Sequence, residues 1–465
     1  MNIIIAGCGK VGSALAEQLS REGHDLTVID QHSEVVQRIT NAADVRGIVG
    51  NGASYNIQKE AGIEKADLLI AVTNADEVNL LCCLIAKKAG DCQTIARVRN
   101  PIYHQEISHI KEELGLSMVI NPEWAAAMEA ARLFRFPSAI EIDTFAKGRI
   151  ELLKFRMDEQ NPLCGQKIKH MTALSKCEVL ICVVERGEQV LIPDGELVLQ
   201  ANDLISIVAS SLNASRFFRL IGIETNQVKN AMIIGGGKTS FYLAQKLLEM
   251  GIAVKIVEKD RDHCEELCEL LPKAMIICGD GTDQELMAEE GLSETEGFAA
   301  FTNMDEENVM LSLYAKSAGK AKMITKVNST TYDSIIATLD IGSVIHPKNI
   351  TAENILQYVR AMQNTIGSNV ETLYRLVNGN AEALEFIIRE EGPVTNVPLL
   401  NLNFKSNILV CAIYRYGKII IPKGQDCLKV GDSVVIITTN CGELQDISDI
   451  LNSSPVRSAK VESAL

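Results

Sequence analysis

The sequence predicts an α/β protein built twice over, with two Rossmann-type, doubly wound parallel sheets, each followed by a small α+β module. Three observations predict it. Short Val- and Ile-rich runs alternate with helical stretches of about 10–15 residues, which is the pattern of βαβ units and a parallel sheet. A glycine fingerprint, Gly7-x-Gly9-x-x-Gly12, stands between the first apolar run and the first helical stretch. Most of the chain then returns some 228 or 229 residues later, Gly7 as Gly235 and Gly50 as Gly279.

The repeat can be followed motif by motif. Ile4-Ile5-Ala6-Gly7-Cys8-Gly9-Lys10 recurs as Met232-Ile233-Ile234-Gly235-Gly236-Gly237-Lys238, and Leu26–Asp30 recurs as Val254–Glu258. Gly50-Asn51-Gly52 matches Gly279-Asp280-Gly281, and Thr73-Asn74-Ala75-Asp76-Glu77 matches Thr302-Asn303-Met304-Asp305-Glu306. Further on, Ile192-Pro193-Asp194-Gly195 with Asp203 matches Ile421-Pro422-Lys423-Gly424 with Asp432. Such order over so many motifs is a duplication.

In the first copy the expected parallel strands are Asn2–Ala6, Asp25–Ile29, Val45–Val49, Leu68–Val72, Thr94–Val98 and Met118–Ile120. The module that follows shows strands at Glu178–Glu185, Val190–Ile192 and Leu204–Ala209, with turn signals at Arg186-Gly187 and Pro193-Asp194-Gly195. Its second copy repeats them at Ile408–Arg415, Lys418–Ile421 and Ser433–Thr438. The expected domains are therefore 1–135 and 227–362 for the Rossmann parts and 136–226 and 363–453 for the modules, with a polar, frayed tail at 454–465.

Composition sets the outer limits. The chain has 465 residues, enough for several cores, and its 47% apolar and 23% charged content is ordinary for globular domains. A net charge of -15 argues against general binding to nucleic acid. The start, Met1-Asn2-Ile3-Ile4-Ile5-Ala6-Gly7, lacks the basic segment of a signal peptide, and no run reaches the roughly 18 apolar residues of a membrane helix. A cytosolic protein is expected. The 13 cysteines are odd in number and scattered, which fits reduced thiols better than a disulfide framework. Cys264 and Cys268 could share a helix face, but a metal site there is not expected.

The fingerprint supplies the candidate site. Its first glycine permits a tight turn, its second lets backbone N–H groups approach a pyrophosphate, and its third lets helix and strand pack closely. The start of the helix adds a partial positive charge for phosphate. Asp30, at the end of the second strand, can accept hydrogen bonds from ribose hydroxyls. The competing reading is a degenerate fold that keeps these glycines for packing alone. In the second copy Ser240 replaces the third glycine and Glu258 replaces Asp30, so binding and a pseudo-site both stay open there. Thr73, Asn74, Thr302 and Asn303 close the fourth strands and are either ligand contacts or helix caps. Arg97 and its counterpart Lys326 either meet a phosphate or brace the fold. The seven histidines form no recurring pair with a carboxylate or serine, and no HExxH, Cys-His dyad or Walker lysine motif appears, so no enzyme activity is expected.

These motifs together resemble the regulator-of-K+-conductance (RCK) domains. The Gly7–Gly12 opening, Asp30, Gly50-Asn51-Gly52, Thr73–Glu77 and Ala96-Arg97-Val98-Arg99 resemble the N-terminal RCK domain. The Ile-Pro-Asp-Gly motif with Asp203 resembles its C-terminal companion. Two such pairs in tandem, over about residues 1–452, resemble the TrkA family, the cytosolic NAD-binding subunits of Trk potassium uptake systems. The resemblance implies a regulator without catalysis, peripheral on the inner face of the cell membrane. Its partner would be a membrane K+-translocating Trk subunit, beneath which four chains make a ring of eight RCK units. It implies NAD or NADH as ligand, with ATP or ADP as further candidates. By the same resemblance the contacts are Gly7, Cys8, Gly9, Lys10, Val11, Asp30, Thr73, Asn74 and Arg97. In the second copy they are Gly235, Gly236, Gly237, Lys238, Thr239, Glu258, Thr302, Asn303 and Lys326.

The small-faced stretch Ala125–Ala131, beside the only tryptophan, Trp124, fits the family's subunit-pairing helix, or else packs within its own chain. The acidity of the chain would steer it to the basic cytoplasmic loops of a membrane partner, or serves solubility alone. Two other functions stay open. A regulator of another cation channel or exchanger would differ by what co-purifies with it, and an NAD-dependent oxidoreductase would turn over NADH.

Overall fold

The computed structural model describes residues 1–452, apart from 146–149, 172–175, 188, 224–225, 330–332, 337, 340, 365–369, 378–379, 443 and 445. The expected tail at 454–465 lies outside the described residues.

The first Rossmann sheet contains β1 (Asn2–Ala6), β2 (Asp25–Asp30), β3 (Arg46–Val49), β4 (Leu68–Ala71), β5 (Gln93–Arg97) and β6 (Met118–Ile120). All pair in parallel, in the order β3-β2-β1-β4-β5-β6. The connecting helices are α1 (Lys10–Arg21), α2 (Ser33–Ala42), α3 (Tyr55–Glu60), α4 (Asp76–Gly90), α5 (Pro101–Ile110) and α6 (Pro122–Arg135). β1 lies at the centre, so Ile3, Ile4, Ile5 and Ala6 are all buried, as a strand covered on both faces requires. Val11, Leu15 and Leu19 give α1 its buried stripe. Strand order reverses between β1 and β4, which opens a crevice beyond their carboxyl ends.

The first module is a five-stranded antiparallel sheet of β7 (Glu141–Phe145), β8 (Ile150–Arg156), β9 (Leu180–Arg186), β10 (Gln189–Leu191) and β11 (Leu204–Ala209), followed by α7 (Ser211–Leu220). Its order is β10-β9-β11-β8-β7. The expected strands correspond to β9, β10 and β11, and β7 and β8 are additional to them.

The second Rossmann sheet repeats the first with β12 (Asn230–Ile234), β13 (Ala253–Glu258), β14 (Met275–Cys278), β15 (Gly297–Ala300), β16 (Lys322–Lys326) and β17 (Ser343–Ile345), in the order β14-β13-β12-β15-β16-β17. Its helices are α8 (Lys238–Glu249), α9 (Arg261–Leu270), α10 (Gln284–Glu289), α11 (Asp305–Ala318), α12 (Asp333–Ile336) and α13 (Pro347–Asn364). The second module has β18 (Val370–Leu376), β19 (Ala381–Ile387), β20 (Ile408–Arg415), β21 (Lys418–Ile420) and β22 (Ser433–Thr438), in the order β18-β19-β22-β20-β21. This is the first module's order read from the other edge.

The chain folds into two compact units that interleave in sequence. Residues 1–140 and 226–358 form one, and residues 141–225 with the chain from 359 onward form the other. In the module unit, Leu152, Cys182 and Val208 of the first sheet share a core with Ala383, Cys411 and Val435 of the second. The repeated Asp203 and Asp432 have a structural task there. Asp203 is buried and accepts two bonds from Arg186, Nε to Oδ1 at 2.9 Å and Nη2 to Oδ2 at 2.8 Å. Arg415 and Asp432 repeat the fork at 2.7 and 2.6 Å.

In the Rossmann unit the two repeats meet through α6 and α8. Ala126, Ala127, Ala130 and Ala131 on α6 are buried. The stretch expected to pair subunits therefore packs within its own chain. Asn121 Nδ2 donates to the Tyr242 hydroxyl at 2.9 Å across this contact. Gly297 makes room for Phe134, because a Cβ there would stand 2.9 Å from the ring. The second repeat also grips the end of the first. Lys322 Nζ donates to the Ala139 carbonyl and, at 3.0 Å, reaches Ser343 Oγ, which in turn donates to the Ile140 carbonyl at 2.6 Å.

Two outcomes follow from this packing. Ala127→Glu would bury a charge without a counter-ion and should lower stability by about 3 kcal/mol or more, read as a fall in melting temperature. Burial pushes the Lys322 ammonium down to about 7. Between that value and the roughly 10.4 of an exposed lysine, the unfolded chain holds a proton that the folded chain lacks, so stability rises with pH across that window. The rise in melting temperature from pH 7 to 9 should be smaller in Lys322→Met.

Candidate functional site

The fingerprint loop is shaped by close backbone approach. Gly7 has φ +99°, and a Cβ on it would lie 2.7 Å from the Thr73 nitrogen. A Cβ on Gly12 would lie 2.0 Å from the Gly7 oxygen, so the third glycine is sterically required. Gly9 caps α1 in an extended conformation. Among the described residues the N–H groups of Gly9, Lys10 and Val11 have no acceptor, as expected at a helix start. They form a ready anion site.

Asp30 closes the other side of the loop. Its Oδ2 accepts from Cys8 N–H at 2.7 Å, and its Oδ1 accepts from His32 N–H at 3.0 Å and faces His32 Nδ1 at 3.0 Å. Burial alone would raise this carboxyl, but the Cys8 and His32 bonds outweigh it and hold Asp30 below its usual range. An ionised carboxylate has lone pairs to spare for a ribose hydroxyl.

Asn79, on α4, fixes the end of β4 and is the site residue that sequence reasoning missed. It is fully buried. Its Oδ1 accepts from Thr73 N–H at 2.8 Å and Thr73 Oγ1 at 2.7 Å, while its Nδ2 donates to the carbonyls of Thr73 at 3.2 Å and Arg97 at 2.9 Å. Asn308 makes the same four bonds to Thr302 and Lys326. The signal was in the repeat, which keeps this asparagine six residues after the threonine in both copies.

Around these groups lies a cavity of about 950 Å³. Of the expected contacts, Gly7, Cys8, Gly9, Lys10, Asp30, Thr73 and Asn74 line it. Val11 is buried in the α1 stripe and does not. Nor does Arg97, which is buried in β5 and donates to the Thr73 carbonyl, bracing the strand ends. Burial lowers the Arg97 guanidinium from its ordinary value.

The second copy builds the same loop around a much smaller space. Gly235 has φ +91°. Glu258 takes the place of Asp30, accepting from Gly236 N–H at 2.6 Å and Asp260 N–H at 2.9 Å. Ser240 is buried, and its hydroxyl has no hydrogen-bond partner among the described residues. The cavity holds about 160 Å³, below the roughly 300–1,000 Å³ typical of small-molecule sites. Gly235, Gly236, Gly237, Glu258, Thr302 and Asn303 line it, whereas Lys238, Thr239 and Lys326 do not. Thr239 is buried, and Lys326 donates to the Phe301 carbonyl at 3.2 Å. Lys238 lies in the field of Glu77 of the first repeat, a carboxyl held low by its own backbone N–H and by Tyr103, with Lys238 adding to both.

The TrkA-N domain model matches residues 3–122 and 231–347, and the TrkA-C domain model matches residues 152–222. A Trk system potassium uptake protein TrkA homolog 1 from Methanosarcina mazei is 31% identical over 94% of this chain and 97% of its own length. The chain belongs to the TrkA family. The TrkA of Halomonas elongata is 30% identical over 96% of this chain and 98% of its own. Among solved structures, the GsuK channel superposes with a TM-score of 0.63 at 15% identity, covering 94% of this chain and 77% of that one, and shares the fold. The GsuK RCK domain gives 0.62 at 16% identity, with 94% and 92% covered, so the duplicated RCK fold is common to both.

Asn79→Ala should strip partners from the buried Thr73 N–H and Arg97 carbonyl together. A loss of about 3 kcal/mol is expected, measured by denaturant unfolding, since each orphaned buried group costs about 1–3 kcal/mol.

Proposed function

We propose that this chain is a nucleotide-responsive regulatory subunit of a Trk-type potassium uptake system. Its place is on the inner face of the membrane, held there by a K+-translocating partner. Supporting this are its family membership and relatives named as Trk potassium uptake proteins over nearly their whole length. Among the described residues no helix is long and apolar enough to cross a membrane. Four chains in a ring of eight RCK units is the assembly that suits two RCK pairs per chain.

One observation carries the nucleotide reading: the roughly 950 Å³ first-repeat cavity has the free N–H groups of α1 on one side and Asp30 on the other. These residues fit the adenosine diphosphate part shared by NAD(H), ATP and ADP. Gly9 and Lys10 N–H groups would hold the phosphates and Asp30 the ribose. A solved structure of the same fold is titled as the GsuK channel bound to NAD. The nucleotide acts by binding, with no bond made or broken. It favours whichever arrangement of the Rossmann domains it binds more tightly, and the gate follows that population.

Calorimetric titration of the full chain with NADH, NAD+, ATP and ADP tests this. Asp30→Ala should weaken the binding ligands by about tenfold or more, the weight of hydrogen bonds to a charged group. A chain that binds none of the four sinks the proposal.

A further inference from the structure

Two cysteines of the second Rossmann domain stand together where the first repeat has valines. Cys264 lies in the first turn of α9, and Cys278 ends the edge strand β14. Because α9 runs back against the parallel strands, its first turn sits at their carboxyl ends, beside Cys278. The carbonyl of Glu258 joins the two. It accepts from the Cys264 thiol at 3.3 Å and from the N–H of Gly279, the residue after Cys278, at 2.9 Å. Glu258 is also the register partner of Cys278 on the neighbouring strand. Burial, and then the Cys278 thiol beside it, push the Cys264 thiol up to about 12.

The match between the repeats shows that the fold needs no sulfur at either place. Cys264 corresponds to Val36 and Cys278 to Val49. In the first repeat a Cβ on Gly47 would stand 2.4 Å from Val36 Cγ1, so that face of β3 looks onto α2. Val49 is two residues further along β3 and shares the face, which by the repeat puts Cys278 on the α9 side of β14.

Access divides the roles. Cys278 is exposed, whereas Cys264 is only 5% exposed, so an oxidant arriving from solvent meets Cys278 first. Cys268 is exposed as well. It stands a further turn down α9, about 6 Å from Cys264 along the axis and away from the strand end.

We propose that Cys278 and Cys264 are an oxidisable thiol pair, which a hydroperoxide converts to a disulfide between β14 and α9. The Cys278 thiolate attacks one peroxide oxygen and the O–O bond breaks, leaving a sulfenic acid on Cys278. The departing hydroxide takes up the proton that the thiol gave up and leaves as water. The Cys264 sulfur then attacks the Cys278 sulfur, the S–O bond breaks, and the hydroxyl leaves as water with the Cys264 proton. Two thiols lose two electrons, and one peroxide is reduced to two waters. The new bond removes the thiol hydrogen that the Glu258 carbonyl accepts, directly behind the carboxylate that holds the second fingerprint loop. The proposal stands independently of nucleotide binding.

The test is titration of the full reduced chain with hydrogen peroxide, then blocking of free thiols and peptide mass spectrometry without reductant. A Cys264–Cys278 cross-link should form, two hydrogens lighter than the reduced peptides, and dithiothreitol should remove it. The double variant Cys264→Val, Cys278→Val restores the residues of the first repeat. It should keep the native melting temperature and form no cross-link between α9 and β14. A cross-link through Cys268 instead, or a Cys278 that passes to sulfinic acid with no bond formed, overturns the proposal. So does a pair left unmodified by peroxide that oxidises the exposed Cys441.

Discussion

The structure depends on one buried amide in each repeat. Asn79 and Asn308 each satisfy all four of their hydrogen-bonding positions on backbone and threonine groups at the ends of two neighbouring strands. They join the end of the fourth strand of each repeat to the end of the fifth, next to the strand pair at which the sheet order reverses, and so fix Thr73 and Thr302 against the glycine turns. Gly7 can approach the Thr73 backbone because it has no Cβ, and Asn79 holds that backbone in place. A buried polar group with every partner present is costly to rearrange, so the crevice keeps its shape before any ligand arrives.

Around that shared frame the two repeats have diverged in what they leave open. The first keeps small residues on its fingerprint helix and has a large cavity that borrows a wall from its neighbour. The second spends the same helix positions on aromatic packing and has a small, acidic one. Duplication gave the chain two copies of one loop, and the first stands beside a cavity of about 950 Å³ while the second stands beside one of about 160 Å³.

Much of this was legible in the sequence, and the limits have physical causes. The parallel strands stood out because central strands are buried on both faces and read as unbroken apolar runs. Strands β7 and β8 did not, because Glu141–Phe145 and Ile150–Arg156 carry charges within short runs and follow a long helix without a strong turn signal. Fingerprint residues were found because their constraint is local. Arg97 and Lys326 could not be sorted between phosphate contact and brace until burial showed both bonded to strand-end carbonyls. Lys348 lines the same cavity as Asp30 yet stands more than 300 residues from it, and no local pattern could join them.

The interleaving of the two units bears on how the chain is made. The alanine face of α6 is covered by α8, which begins about a hundred residues after α6 ends. At roughly 5–20 residues per second, that small apolar stripe leaves the ribosome many seconds before its cover exists. Alanine suits such a delay, since it buries well yet presents little apolar area while it waits. Larger side chains would pack as tightly in the finished unit but would leave a sticky surface on every nascent chain.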